Sequence, residues 1–222
     1  MKHLVRKYML LGMVAAFFAG MPAAGAAPVV PENIFQWVQS TSRADYYFNK
    51  QQICFAVDKE GYLELNRLLV PILKVYDPVQ IEDVVAKRRW RMQNMTGYEM
   101  LAGAAEYLEF DLDGKTVKVR WHDDLDDTWT VLGTERAYEP MRLDSYGPKD
   151  VDGKFYKAIL EYAADHREEI IEHSEGKLRE EVRKKLEEAK KSSQDGKDGD
   201  KGKKDKEKKE KKDKKSKKDR KQ

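Results

Sequence analysis

The chain has one cysteine among 222 residues, so no internal disulfide is available and the core must hold the fold unaided. That residue, Cys54, lies in the strand-like run QQICFAVD and reads as a small apolar side chain. A reactive thiol would need an electropositive, accessible setting. Catalytic motifs are missing as well: there is no G-x-S-x-G elbow, no H-E-x-x-H pair and no phosphate-cradling glycine loop. Long hydrophobic runs are scarce. The run YMLLGMVAAFFAG near the N-terminus closes at Pro22 and Gly25, short of the about 20 apolar residues that a membrane-crossing helix needs. From Asp195 to Gln222 there is no hydrophobic residue at all.

The apolar run follows the basic segment MKHLVRK and precedes the small-residue stretch MPAAGAA, the order of a secretory signal peptide. Ala24 and Ala26 satisfy the A-x-A rule, so residues 1–26 are predicted to be removed after Ala26. The expected mature chain has no transmembrane span, and its location is periplasmic, cell-surface or extracellular. No Cys follows the apolar run, which excludes a lipid-modified N-terminus.

Charge divides the remainder. The stretch Asp195–Gln222 carries 15 Lys and Arg against 8 Asp and Glu, a net of +7. Between the signal peptide and that stretch stand 25 cations and 32 anions, a net of −7. Residues 194–222 are predicted to be disordered, because nothing apolar offsets the entropy of ordering. A three-residue period also spreads lysines around the whole circumference of a helix instead of onto one face. Lys208, Lys209, Lys211, Lys212, Lys214, Lys215, Lys217 and Lys218 are the candidate polyanion-binding residues, with anionic envelope polymers or lipids as partners. A solubilising polyampholyte, or a tail folded back on its own acidic domain, would carry the same charges. The signal peptide disfavours nucleic acid as a partner.

Residues 27–193 are long enough for one domain and short for two. Strands are expected at Ile34–Gln39, Ala44–Asn49, Gln51–Val57 and Tyr62–Val70, the last ending, bulging or lying at an edge by Pro71. YLEFDLDGKTVKVRW reads as a hairpin on a two-residue turn at Asp113-Gly114. That register sets Phe110 opposite Val117, Leu108 opposite Val119, Glu109 opposite Lys118 and Tyr107 opposite Arg120. It also puts Trp121 on the apolar face. DPVQIEDVVAKRRWRMQN fits either a helix capped by Asp77 or a strand. Its KRRWR segment could grip a phosphate or a base, or simply cover a surface. From Val151 to Lys191 the pattern is helical, with Phe155, Ile159, Tyr162 and Ile170 on one side.

Two constellations could hold a metal. His166, Glu169 and His173 are spaced so that all three share one helix face and could meet a metal, although that face also carries the packing residues. His122, Asp123, Asp124, Asp126 and Asp127 form an acidic run beside a histidine, suited to a hard cation or to an ordinary surface loop. No catalytic residue and no cofactor is assigned.

Trp37-Val38, Ser40, Tyr46-Tyr47-Phe48-Asn49 and Ile53, followed by a turn and a long apolar strand, resemble the start of small exported bacterial proteins of the surface-adhesin protein E type. The resemblance covers roughly 45 residues by its strand pattern. It implies a compact α+β domain at the cell surface that binds host matrix proteins, but transfers no binding residue. This chain also lacks the further cysteines such a relationship would bring.

The resulting expectation is an α+β domain: an antiparallel sheet of five to seven strands packed by a long C-terminal helix, followed by the disordered Lys-rich tail. The expected function is an exported, non-enzymatic envelope or surface-associated binding protein. A metal-dependent envelope enzyme, or a structural partner of another envelope or host protein, is the alternative.

Overall fold

The longest strand runs straight through a proline. In the computed structural model, β4 (Leu63–Tyr76) continues past Pro71 into the centre of an antiparallel sheet. One edge of β4 pairs continuously with β5 (Leu101–Asp111). The other is shared: β3 (Cys54–Val57) reaches Leu69, and β2 (Ala44–Asn49) begins at Ile72. Pro71 falls in the gap between the two, where neither partner asks for its missing N–H. The expectation that this strand ends, bulges or lies at an edge there is therefore corrected, since its register with β5 runs unbroken through Pro71.

The described residues are 29–136, 138–186 and 188; the predicted signal peptide and lysine-rich tail lie outside them. Contacts divide them into two units. In the larger, up to Asp58 and over Leu63–Glu175, β1 (Phe35–Ser40) pairs with β2, and β6 (Thr116–Asp126) pairs with β5. β7 (Val131–Arg136) and the short β8 (Met141–Arg142) share the outer edge of β6. The sheet thus has eight strands.

The helices are α1 (Pro78–Trp90), α2 (Val151–Asp165) and α3 (Arg167–His173). The segment that could be helix or strand is the helix α1: the Asp77 side chain accepts from Val79 N at 2.9 Å, and Pro78 occupies the first turn, where its missing donor costs nothing.

The expectation of five to seven strands under one long C-terminal helix is corrected on both counts. β7 and β8 are short and lack clear alternation, so they escaped the sequence reading. The helix breaks at His166, whose Nδ1 stands 3.0 Å from Tyr162 O while its ring stacks on the Tyr162 ring. It then ends at Ser174, whose hydroxyl donates to Ile170 O at 2.6 Å and accepts from Phe55 N of β3 at 2.9 Å. A serine that turns its hydroxyl to the backbone in this way competes with helix continuation.

The core lies on both faces of the sheet. On one, Phe48, Leu68, Val70, Leu108, Phe110 and Val117 meet Phe155, Ile159 and Ile170 of α2 and α3, all nearly inaccessible. Edge-to-face ring pairs, Tyr46 with Phe155 and Phe48 with Tyr162, join helix to sheet. On the opposite face Phe35, Leu73, Leu125 and Trp129 form a second cluster.

The predicted hairpin keeps its register at Phe110–Val117, Leu108–Val119 and Glu109–Lys118. Its loop is wider than expected, closing on the pair Asp111–Thr116, with Lys115 at φ 49. A bulge beyond Leu108 places Tyr107 opposite Trp121, not Arg120, and the two rings stack at 4.4 Å. Trp121 therefore leaves the face occupied by Val117 and Val119, because one extra residue inverts the alternation.

In the smaller unit, Lys59–Tyr62 and the residues from Gly176, Lys177 bridges to Tyr62 in parallel and Arg179 lies over the Tyr62 ring. Helical backbone follows over 180–186.

Candidate functional site

The face that carries the apolar core becomes ionic toward its other end. Ile72 and Lys74 succeed Leu68 and Val70 on β4; Glu106 and Ala104 continue from Phe110 and Leu108 on β5. On β6 the bulge brings His122 and Asp124 onto this face in place of Trp121 and Asp123. The result is a chain of charges across three strands, with Glu106 and Asp124 buried and Lys74 and His122 half-buried.

Lys74 Nζ lies 3.0 Å from Glu106 Oε1 and 2.9 Å from Oε2, with hydrogen-bond geometry only at Oε1. Glu106 Oε1 also meets His122 Nδ1 at 2.8 Å, and His122 Nε2 reaches Asp124 Oδ1 at 3.1 Å. The other Asp124 oxygen accepts from Tyr98 Oη at 2.7 Å, with Arg88 Nη1 of α1 at 3.5 Å. Gly133 on β7 leaves room for this end, since a Cβ there would come within 2.6 Å of the Tyr98 hydroxyl.

Burial opposes every charge in the chain, and the partners overcome it. Burial alone would raise Glu106, but the Lys74 charge and the His122 hydrogen bond hold its pKa down to about 2. Burial would discharge His122, yet its bonds to Asp124 and Glu106 push it up to about 9. Asp124 is lowered against burial by His122 and Tyr98, and Lys74 is raised against burial by Glu106. Around them Tyr46, Tyr76, Tyr98, Tyr138 and Tyr156 all have raised pKa values, with desolvation the leading cause, and stay neutral hydroxyls.

Chemically, this is a closed relay. His122 is an imidazolium at neutral pH with both nitrogens spent on carboxylates, so it offers no lone pair to a proton or a metal unless one of those bonds breaks. The Cys54 thiol is pushed up by burial, which removes its nucleophilic form.

The acidic run that reads as one candidate metal site is divided by the strand. His122 and Asp124 enter the relay. Asp123 points to the other face, where Thr134 Oγ1 donates to it at 2.5 Å. Asp126 shapes the loop to β7, accepting from Thr128 N, Thr128 Oγ1 and Thr130 N. Asp127 is exposed, and its N–H donates to Met100 O. In the second candidate group, His166 sits at the junction between α2 and α3, so the continuous helix face that would join it to Glu169 and His173 is interrupted. Among the described residues no three His, Cys, Asp or Glu side chains form a group that could hold a metal ion. The candidate lysines, Lys208 to Lys218, lie outside the described residues.

Sequence reading missed Lys74, Glu106 and Tyr98, and offered Arg88 only as part of the KRRWR segment. The signal for Glu106 was present, as a charged residue at an inward place in the alternation of Leu108 and Phe110. Comparisons with family models, curated proteins and solved structures return no significant match for the chain.

Proposed function

We propose that this protein is an exported, non-enzymatic envelope or cell-surface binding protein that holds anionic polymers or lipids through its cationic C-terminal stretch. The observation that carries the reading is the closed relay. Lys74, Glu106, His122 and Asp124 are spent on one another inside the sheet, as a scaffold would use them. The cations available for a partner stand elsewhere, along Asp195–Gln222 and at the exposed C-terminal end of α1. Charges placed on a segment without apolar residues bind by counterion release and screening, not by shape. The Trp37 to Ile53 strand pattern, with its resemblance to the protein E adhesins, is in keeping with a surface role. Among the described residues, no helix is long and apolar enough to cross a membrane.

The test is retention on immobilised lipopolysaccharide or an acidic cell-wall polymer, comparing the full chain with one lacking Asp195–Gln222. The full chain is retained at low salt and released at about 1 M, where the screening length falls to about 3 Å. Equal retention of the two forms at low salt overturns the proposal.

A further inference from the structure

The two most exposed large hydrophobic side chains among the described residues are neighbours at the end of α1: Trp90, 83% exposed, and Met92, 92% exposed. Lys87, Arg89 and Arg91, all exposed, surround them. No residue of α1 is buried. The backbone at this corner is set with care. Met92 N donates to Arg89 O and Gln93 N to Arg88 O, both at 3.0 Å, the double bond pattern that closes a helix with a left-handed residue. That residue is Met92, at φ 53. Glycine takes this conformation without steric cost, whereas methionine does not. The chain thus places a flexible apolar side chain where fold stability favours none, and strain of this kind points toward function.

The corner is also mounted rigidly. Arg88 packs over the Tyr98 ring at 4.0 Å, donates to Asn94 O at 3.1 Å and reaches Asp124 at the end of the relay. Asn94 in turn accepts from Thr96 N and Thr96 Oγ1. Trp90 and Met92 are held out from the body on a clamped turn.

We infer that the Trp90–Met92 corner is a membrane-interface anchor that seats in the headgroup region of an anionic lipid bilayer, with Lys87, Arg89 and Arg91 on the phosphates. This rests on the binding reading above and names a lipid surface as one partner. A soluble polyanion would reward the cations and leave Trp90 and Met92 in water. An anionic bilayer rewards both, because hydrocarbon lies directly beneath the charged headgroups, where an indole and a cation bind side by side.

The experiment uses the full chain and vesicles of phosphatidylcholine with or without phosphatidylglycerol, at low and high salt, with brominated lipid to quench inserted tryptophan. The wild type is expected to keep a salt-resistant, bromolipid-quenched fraction on phosphatidylglycerol vesicles. Trp90→Ala abolishes the quenching and weakens that binding about tenfold, the scale for one lost interfacial aromatic. Met92→Gly also weakens it while raising the thermal midpoint, so misfolding cannot explain the loss. Deleting Asp195–Gln222 lowers retention on immobilised polyanion but leaves the salt-resistant vesicle fraction. If both substitutions bind vesicles like the wild type, or if the wild type is retained on polyanion and ignores vesicles, the anchor is wrong while the binding reading stands. Binding to neither surface removes both.

Discussion

His122 and Glu106 stand directly opposite each other on adjacent strands, and their side chains meet at 2.8 Å inside the sheet. The pair joins Lys74 on one side to Asp124 on the other, so its removal is felt along the whole line.

His122→Ala leaves two buried carboxylates without their shared cation and is expected to cost about 3–5 kcal/mol of folding stability. Lys74→Met and Glu106→Leu each do comparable harm, whereas the two together cost less than either alone, because the apolar pair leaves less charge stranded. Urea denaturation of the four forms measures this, and additive losses would show that the two side chains do not act as a unit.

Stability should be greatest in mildly acidic solution. His122 is raised from its ordinary 6.5 to about 9, so its contribution is complete below 6.5 and lost as pH rises through 9. Glu106 is lowered from 4.5 to about 2, so its contribution is complete above 4.5 and lost as pH falls through 2; Asp124 moves in the same direction. Lys74, raised by Glu106, remains charged across that range. Denaturation midpoints followed against pH should form a plateau between these limits, and His122→Gln should remove the alkaline decline.

Gly133→Ala places a methyl group 2.6 Å from the Tyr98 hydroxyl. The hydroxyl must move off Asp124, and the expected loss is about 1–3 kcal/mol. A Tyr98→Phe background should absorb much of it, since the clashing atom is then gone. An unchanged penalty would locate the strain elsewhere.

Much of the central hairpin could be read directly, because the alternation of Leu108, Phe110, Val117 and Val119 fixed both register and face. The ionic half could not. One bulge moved His122 onto the face of Val117 and Val119 and Trp121 onto the opposite one, and no local pattern marks a bulge at Arg120. Lys74 was lost because Pro71 looked like a strand end; only the division of that edge between β2 and β3 makes the proline harmless. Arg88 and Tyr98 reach Asp124 through tertiary packing, which spacing along the chain does not encode. The helix at Val151 was legible from its apolar stripe, but its length was not. Ser174 ends it through a bond to Phe55, 119 residues earlier.

That bond also orders events in time. The Phe55 amide on β3 finds its acceptor 119 residues further on, so this point on the strand border is closed only once the C-terminal helices have docked, a long loop closure that contact order makes slow.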